Sequence, residues 1–195
     1  VPIVLFVGRL SPQKGLVYLL QATALACRVE KFLCLIIGDG EQREELELLA
    51  RQLGIMQYVL FLGRQENVFK FMRHATCLVL PSVVEGNPIV ILEAMACGCP
   101  VIATNCAQGV RELLAEGKRG LLVPPRNPHS LAEAILKVLR DGSLRKRMIQ
   151  AGVEYVKQFE AKRIVRQYED LVKACVHHHS DGIESQGDCR VWHDE

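Results

Sequence analysis

The sequence predicts an α/β fold, a doubly wound parallel sheet of about six strands followed by C-terminal helices. Three observations lead there. Short runs rich in Val, Ile and Leu recur along the chain, apolar at consecutive positions, as strands covered on both faces are. Helical segments separate these runs at a spacing suited to strand–helix–strand crossovers. The composition, 195 residues with 49% hydrophobic and 24% charged, is that of one ordinary globular domain.

The strands are expected at Ile3–Val7, Phe32–Ile37, Tyr58–Leu62, Cys77–Leu80, Val101–Ala103 and Leu121–Val123. Between them helices are expected at Leu16–Val29, Glu41–Leu53, Asn67–His74, Pro88–Cys97 and Val110–Leu114. Three more follow, at Ser130–Arg140, Ser143–Gln158 and Ala161–Cys175. In such a sheet ligands sit at the carboxyl ends of the strands, where the strand order reverses. The loop holding Arg9 and the loop holding Glu85 both follow strands, so both are expected to face that crevice.

The segment from Arg73 to Arg111 is the most informative, because between those two arginines only Glu85 and Glu93 are charged. Isolated carboxylates in an apolar setting are costly unless paired or bound. One reading puts both on the rim, meeting water or a lysine; two of them flanking a helix start favour a ligand site. Asn87 is expected to cap a helix opening at Pro88, with the free amides of Ile89, Val90 and Ile91 able to receive an anion. Gly98 ends that helix, and Pro100 leads into the next strand. A second pair, Arg9 and Lys14, lies between a glycine turn and a helix start, a reasonable cradle for a pyrophosphate, although taken alone such residues read as solvent-exposed surface charges.

The net charge of +2 favours neither nucleic acid nor a membrane surface as partner. No apolar run approaches the ~20 residues of a membrane helix. The eight cysteines lack a CxxC pair and mostly sit in apolar segments, which argues against zinc and a disulfide framework and for a reducing, cytoplasmic compartment. The chain opens inside a strand without an initiator Met and is expected to be a fragment, or one half of a larger protein. Arg145, Lys146 and Arg147 are read as a solvated helix face, and His74 as a cap or surface residue.

Glu85–Thr104, EGNPIVILEAMACGCPVIAT, resembles the E-x7-E signature of retaining glycosyltransferases of the GT-B fold, family 4. VGRLSPQKG (Val7–Gly15), IIGDGEQREEL (Ile36–Leu46), VLFLGRQENV (Val59–Val68), GLLVPPRNPHSLAEAI (Gly120–Ile135) and RIVRQYEDL (Arg163–Leu171) are similar to that family, in its order. The resemblance implies the C-terminal, Rossmann-like half of a GT-B enzyme over residues 1–175, with 176–195 a disordered tail and the N-terminal acceptor domain missing. It implies a nucleotide-sugar donor, UDP- or GDP-linked, no cofactor and no metal; the chain has no DxD. An acceptor glycan, lipid or small molecule would be held by the missing half, which alone would mediate any membrane association.

By the same resemblance Arg9 and Lys14, following Gly8, bind the donor diphosphate and stabilise it as a leaving group. Fixed positive charge placed where negative charge develops lowers the barrier. Glu85, with the backbone of Gly86 and Asn87, would hold the sugar hydroxyls, and Glu93 the ribose hydroxyls. The helix start at Pro88, Ile89 and Val90 would meet a phosphate, and Arg64, after Gly63, falls where relatives hold the nucleobase. Gly38-Asp39-Gly40 is expected to be a structural turn, and Arg163 and Tyr168 of the last helix to pack. Ala107-Gln108-Gly109-Val110 departs from the family's glycine-rich pattern, which leaves donor preference open.

Three rival readings accompany this one. A glycosidase using Glu85 and Glu93 as its carboxylate pair leaves Arg9 and Lys14 without a task. A sugar-nucleotide epimerase on a GT-B fold fits the E-x7-E segment less well. A non-catalytic subunit could bind the nucleotide while another chain supplies the acceptor domain.

Overall fold

The computed structural model describes residues 1–183. Six parallel strands form one sheet: β1 (Ile3–Val7), β2 (Leu33–Ile37), β3 (Val59–Gly63), β4 (Cys77–Leu80), β5 (Val101–Thr104) and β6 (Leu121–Val123). Their order is β3-β2-β1-β4-β5-β6, so the chain winds outward from β1 in one direction and from β4 in the other. The α/β expectation holds, and the reversal point lies between β1 and β4. Those two strands pair in parallel, Val4 opposite Cys77 and Leu5 opposite Leu78.

Side-chain alternation divides each strand between two cores. Val4, Phe6, Cys34, Ile36, Cys77, Val79 and Ile102 face one layer, and Leu5, Leu35, Ile37, Leu78, Leu80, Val101 and Ala103 face the other. Helices α1 (Leu16–Ala26), α2 (Arg43–Gln52) and α6 (Pro128–Arg140) cover the first face, contributing Leu16, Leu20, Leu46 and Ile135. Helices α3 (Phe69–His74), α4 (Ile89–Ala96) and α5 (Gln108–Leu114) cover the second, with Met72, Ile91 and Val110. Because both faces are covered, the strands read as continuous apolar runs. Each fully buried Leu, Ile or Phe contributes roughly 1.5–3 kcal/mol of transfer free energy. Cys27, Cys34, Cys77 and Cys99 behave as core hydrophobes, burial pushing the Cys34 and Cys99 thiols up to about 12.

Capping explains two helix starts that depart from the sequence expectation. Asn67 accepts from the Phe69 and Lys70 amides, so α3 starts after it. Asn127 accepts from the Ser130 amide and Pro128 is the first helical residue, which starts α6 two residues earlier than expected. Arg145 belongs to α7 (Gly142–Val156) but is not simply a solvated basic residue. Its guanidinium donates to the Val138 and Leu139 carbonyls at 2.6 and 2.7 Å, closing the C-terminus of α6, while Lys146 and Arg147 are exposed.

The chain divides into two compact units, Val1–Val156 and a second beginning at Lys157. In the second, α8 (Ala161–Ile183) runs past the expected end at Cys175, as no glycine or proline interrupts it before Gly182. The rest of the tail expected to be disordered, 184–195, lies outside the described residues. Arg163 and Tyr168, expected to pack, are exposed on α8, because its apolar positions Val165, Tyr168, Leu171 and Val172 stand open in this unit. Among the described residues no helix is long and apolar enough to cross a membrane.

Gly38, just after β2, takes φ +134°, and a Cβ there would fall 1.8 Å from the Gly8 carbonyl oxygen. Gly38→Ala therefore meets both backbone strain and a backbone clash. It is expected to destabilise the fold by about 2 kcal/mol or more. Urea denaturation checks this, and an unchanged midpoint would refute it.

Candidate functional site

The carboxyl ends of β1, β2 and β3 are stitched together by backbone hydrogen bonds. Gly8 N–H donates to the Ile37 carbonyl at 3.0 Å, Leu10 N–H to Asp39 at 3.0 Å, and Gly38 N–H to Gly63 at 2.9 Å. The result is a cleft of about 460 Å³ lined by Gly8, Arg9, Gly38, Asp39, Gly40 and Arg64. Arg9 and Arg64 are both exposed and, among the described residues, in no ion pair. Two cationic side chains share the cleft with Asp39, whose carboxylate accepts from the Gly40 amide at 2.9 Å. The 38–40 turn is thus a wall of the cleft as well as a structural turn. Its two glycines were the available signal, and they pointed only to a turn.

On the other side of β1 its loop meets the loop after β4. Pro12–Lys14 forms a 3-10 turn closed by Gly15 at φ 64°. A Cβ on Gly15 would lie 2.2 Å from the Pro81 carbonyl oxygen, so only glycine permits the approach. Val83 N–H donates to the Gln13 carbonyl at 2.8 Å, fastening the two loops. Lys14 Nζ consequently lies 2.6 Å from Glu85 Oε1, with the two side chains 20% and 8% exposed. Ser82 Oγ donates to the same carboxylate oxygen at 2.6 Å. A carboxylate this enclosed requires such partners. The sequence reading assigned Lys14 to a diphosphate and Glu85 to a sugar; the structure puts the two in contact.

The start of α4 differs from the expected one. Pro88, not Asn87, is the N-cap, with φ −76° and ψ 93°. Its carbonyl already accepts the Ile91 amide at 3.0 Å, so Ile91 is not available to an anion, whereas Ile89 and Val90 stand at the open first turn. Asn87 makes no capping hydrogen bond and is exposed, because the extended Pro88 sets it one residue too early to reach the helical amides. Glu93, the fifth residue of α4, is half-buried and forms no ion pair among the described residues. Gly86 is exposed, and a Cβ there would meet nothing within 4 Å. Behind it stands Gly109 of α5, which places the Ala107–Val110 departure directly against the Gly86 carbonyl.

The expected site residues therefore fall into two groups at the strand ends. Gly8, Arg9 and Arg64 line the cleft, and Lys14 contacts Glu85, which leads through Gly86, Asn87 and Pro88 into α4. His74 is exposed at the end of α3, as expected. A second cavity, about 390 Å³, is lined partly by Gln13, Tyr18, Val83 and Val84 and holds none of these residues. Among the described residues no three His, Cys, Asp or Glu side chains gather as a metal site. Ser82 and Thr104 escaped the sequence reading, since a serine or threonine at a strand end carries no signal of its own.

Comparison with known proteins sets this geometry among relatives. The family described as glycosyl transferases group 1 matches residues 1–155. Sucrose-phosphate synthase from Thermosynechococcus elongatus is 31% identical with a TM-score of 0.81, over 91% of this chain and 46% of that one. HepE from Anabaena, solved in complex with UDP and glucose, is 27% identical with a TM-score of 0.79, over 88% of this chain and 48% of that one. The C-terminal domain of a group 1 family glycosyl transferase, LpcC from Francisella tularensis, is 26% identical with a TM-score of 0.73, over 80% and 85% of the two chains. The chain spans about half the length of the curated relatives it matches. With a six-stranded parallel sheet like that of GT-B C-terminal domains and a family match over most of its length, the chain belongs to the group 1 glycosyl transferases.

Proposed function

We propose that this chain is the donor-binding domain of a retaining, metal-independent glycosyltransferase that uses a UDP- or GDP-sugar. The observation that carries the reading is the contact of Lys14 with Glu85 at the point of strand reversal, beside the cleft of Arg9 and Arg64. Crevices at this point are where parallel α/β sheets take nucleotides. The Anabaena relative solved with UDP and glucose supports the same ligand class here.

In this reading Arg9 and Lys14 grip the diphosphate. The Lys14 ammonium has three protons, so it can keep Glu85 and still donate to a phosphate oxygen. As the bond from the anomeric carbon to the phosphate oxygen breaks, the departing charge grows beside these cations, and transfer occurs on the same face of the sugar. Glu85, with Gly86 and Asn87, accepts from sugar hydroxyls. Glu93 accepts from the ribose, Arg64 and Gly8 flank the nucleoside, and the Pro88–Ile89–Val90 turn faces a phosphate. No cofactor is required. The acceptor, whether glycan, lipid or small molecule, is held by protein beyond this chain, in keeping with relatives about twice as long. Unpaired thiols favour a reducing, cytoplasmic setting.

Calorimetric titration tests the diphosphate site. UDP is expected to bind far better than UMP, or GDP than GMP, and Arg9→Ala to erase most of the difference. Losing a charge-assisted hydrogen bond costs ~1.5–3 kcal/mol, roughly ten- to a hundredfold in affinity. Equal affinity for diphosphate and monophosphate would overturn the assignment.

A double-mutant comparison tests Glu93. The 2′,3′-dideoxy form of the preferred nucleotide should bind weakly to the wild-type chain and no more weakly to Glu93→Ala. Losses that add would make Glu93 a structural residue.

A further inference from the structure

Glu85 is held by two donors acting on one of its oxygens. Lys14 Nζ and Ser82 Oγ both approach Oε1 at 2.6 Å, and Oε2 takes part in neither contact. Ser82 is itself wholly buried. A hydroxyl has one proton to give, and the Ser82 proton goes to Glu85. The Ser82 backbone is in turn seated by Thr104, the last residue of β5 and 3% exposed, whose hydroxyl donates to the Ser82 carbonyl. The Leu80 carbonyl lies 3.5 Å from the same hydroxyl, so Thr104 ties the end of β5 to the end of β4. A chain of polar groups thus runs from the sheet through Thr104 and Ser82 to Glu85, and Lys14 meets it from the loop after β1.

We propose that Ser82, seated by Thr104, is the positioning residue that sets the Glu85 carboxylate for the donor sugar. With the buried Ser82 hydroxyl and Lys14 both on Oε1, the whole carboxylate is oriented, which leaves Oε2 to accept from sugar hydroxyls. Without Ser82, Oε1 keeps only the flexible lysine, and the carboxylate can turn with it. Pre-orientation of this kind governs how well a group serves a ligand, since a carboxylate free to turn must be ordered on binding. The inference rests on the donor-site reading above.

The experiment is calorimetric titration of the chain with UDP, UDP-glucose, UDP-N-acetylglucosamine, GDP and GDP-mannose. Whichever sugar nucleotide binds the wild-type chain is set against its own diphosphate. Ser82→Ala is expected to lower sugar-nucleotide affinity roughly tenfold while shifting the diphosphate by less than about twofold. In a Glu85→Ala background, Ser82→Ala is expected to add nothing, because its effect passes through Glu85. Should Ser82→Ala fail to fold, Thr104→Val keeps the side-chain shape, removes the seating hydroxyl, and is expected to show the same pattern with a smaller loss. Equal losses for sugar nucleotide and diphosphate, losses that add in the double variant, or a wild-type chain for which the sugar adds no affinity would overturn the inference and leave the nucleotide site standing. A wild-type chain that binds none of these nucleotides would overturn the donor-site reading and this inference with it.

Discussion

The parallel pairing of β1 with β4 is the constraint on which the rest of the site depends. Val4 lies opposite Cys77 and Leu5 opposite Leu78, so two segments far apart in sequence end side by side. Their following loops then have no choice but to meet. At that meeting the Gly15 backbone sits against the Pro81 carbonyl, the Gln13 carbonyl takes the Val83 amide, and Lys14 reaches Glu85 across 71 positions of sequence. A side chain at Gly15 would push the loops apart and separate the charges. The ion pair is a consequence of backbone packing, and its partial burial makes separation costly.

The charges at the strand ends are arranged unequally. Arg9 and Arg64 stand exposed on an open cleft, where solvent reaches both side chains. Lys14 and Glu85 are drawn inward and neutralise one another. The pairing also explains why so apolar a segment tolerates Glu85: the carboxylate is satisfied before any ligand arrives, by Lys14 and Ser82. Glu93, on the first turns of α4, has no such partner among the described residues and is half-buried.

Rigidity comes from the two cores on either face of the sheet. Strand residues alternate between them, and each layer is closed by helices, of which α6 is fastened at its start by Asn127 and at its end by Arg145. The site residues hang from the ends of these strands on short loops. Their positions are set by a packed frame rather than by the loops themselves.

Sequence alone determined the strands, the helices between them and the loops that would carry chemistry. These follow from local pattern: unbroken apolar runs for doubly covered strands, and glycine and proline at the breaks. The identities of Arg9, Lys14, Glu85 and Glu93 were legible for the same reason, as charged residues placed just after strands or inside an apolar stretch. Tertiary structure alone decided how they combine. The strand order that joins β1 to β4, the Lys14–Glu85 contact, and the support of Glu85 by Ser82 and Thr104 all arise from pairings between distant segments. The cap at Pro88 was misjudged because its ψ of 93° depends on where the loop must deliver the chain, not on the residue type. The role of the 38–40 turn as a cleft wall likewise appears only when Gly38 can be seen against Gly8. Local pattern records what each segment prefers; which segments become neighbours is settled by burying every apolar face at once, and no single stretch of sequence carries that information.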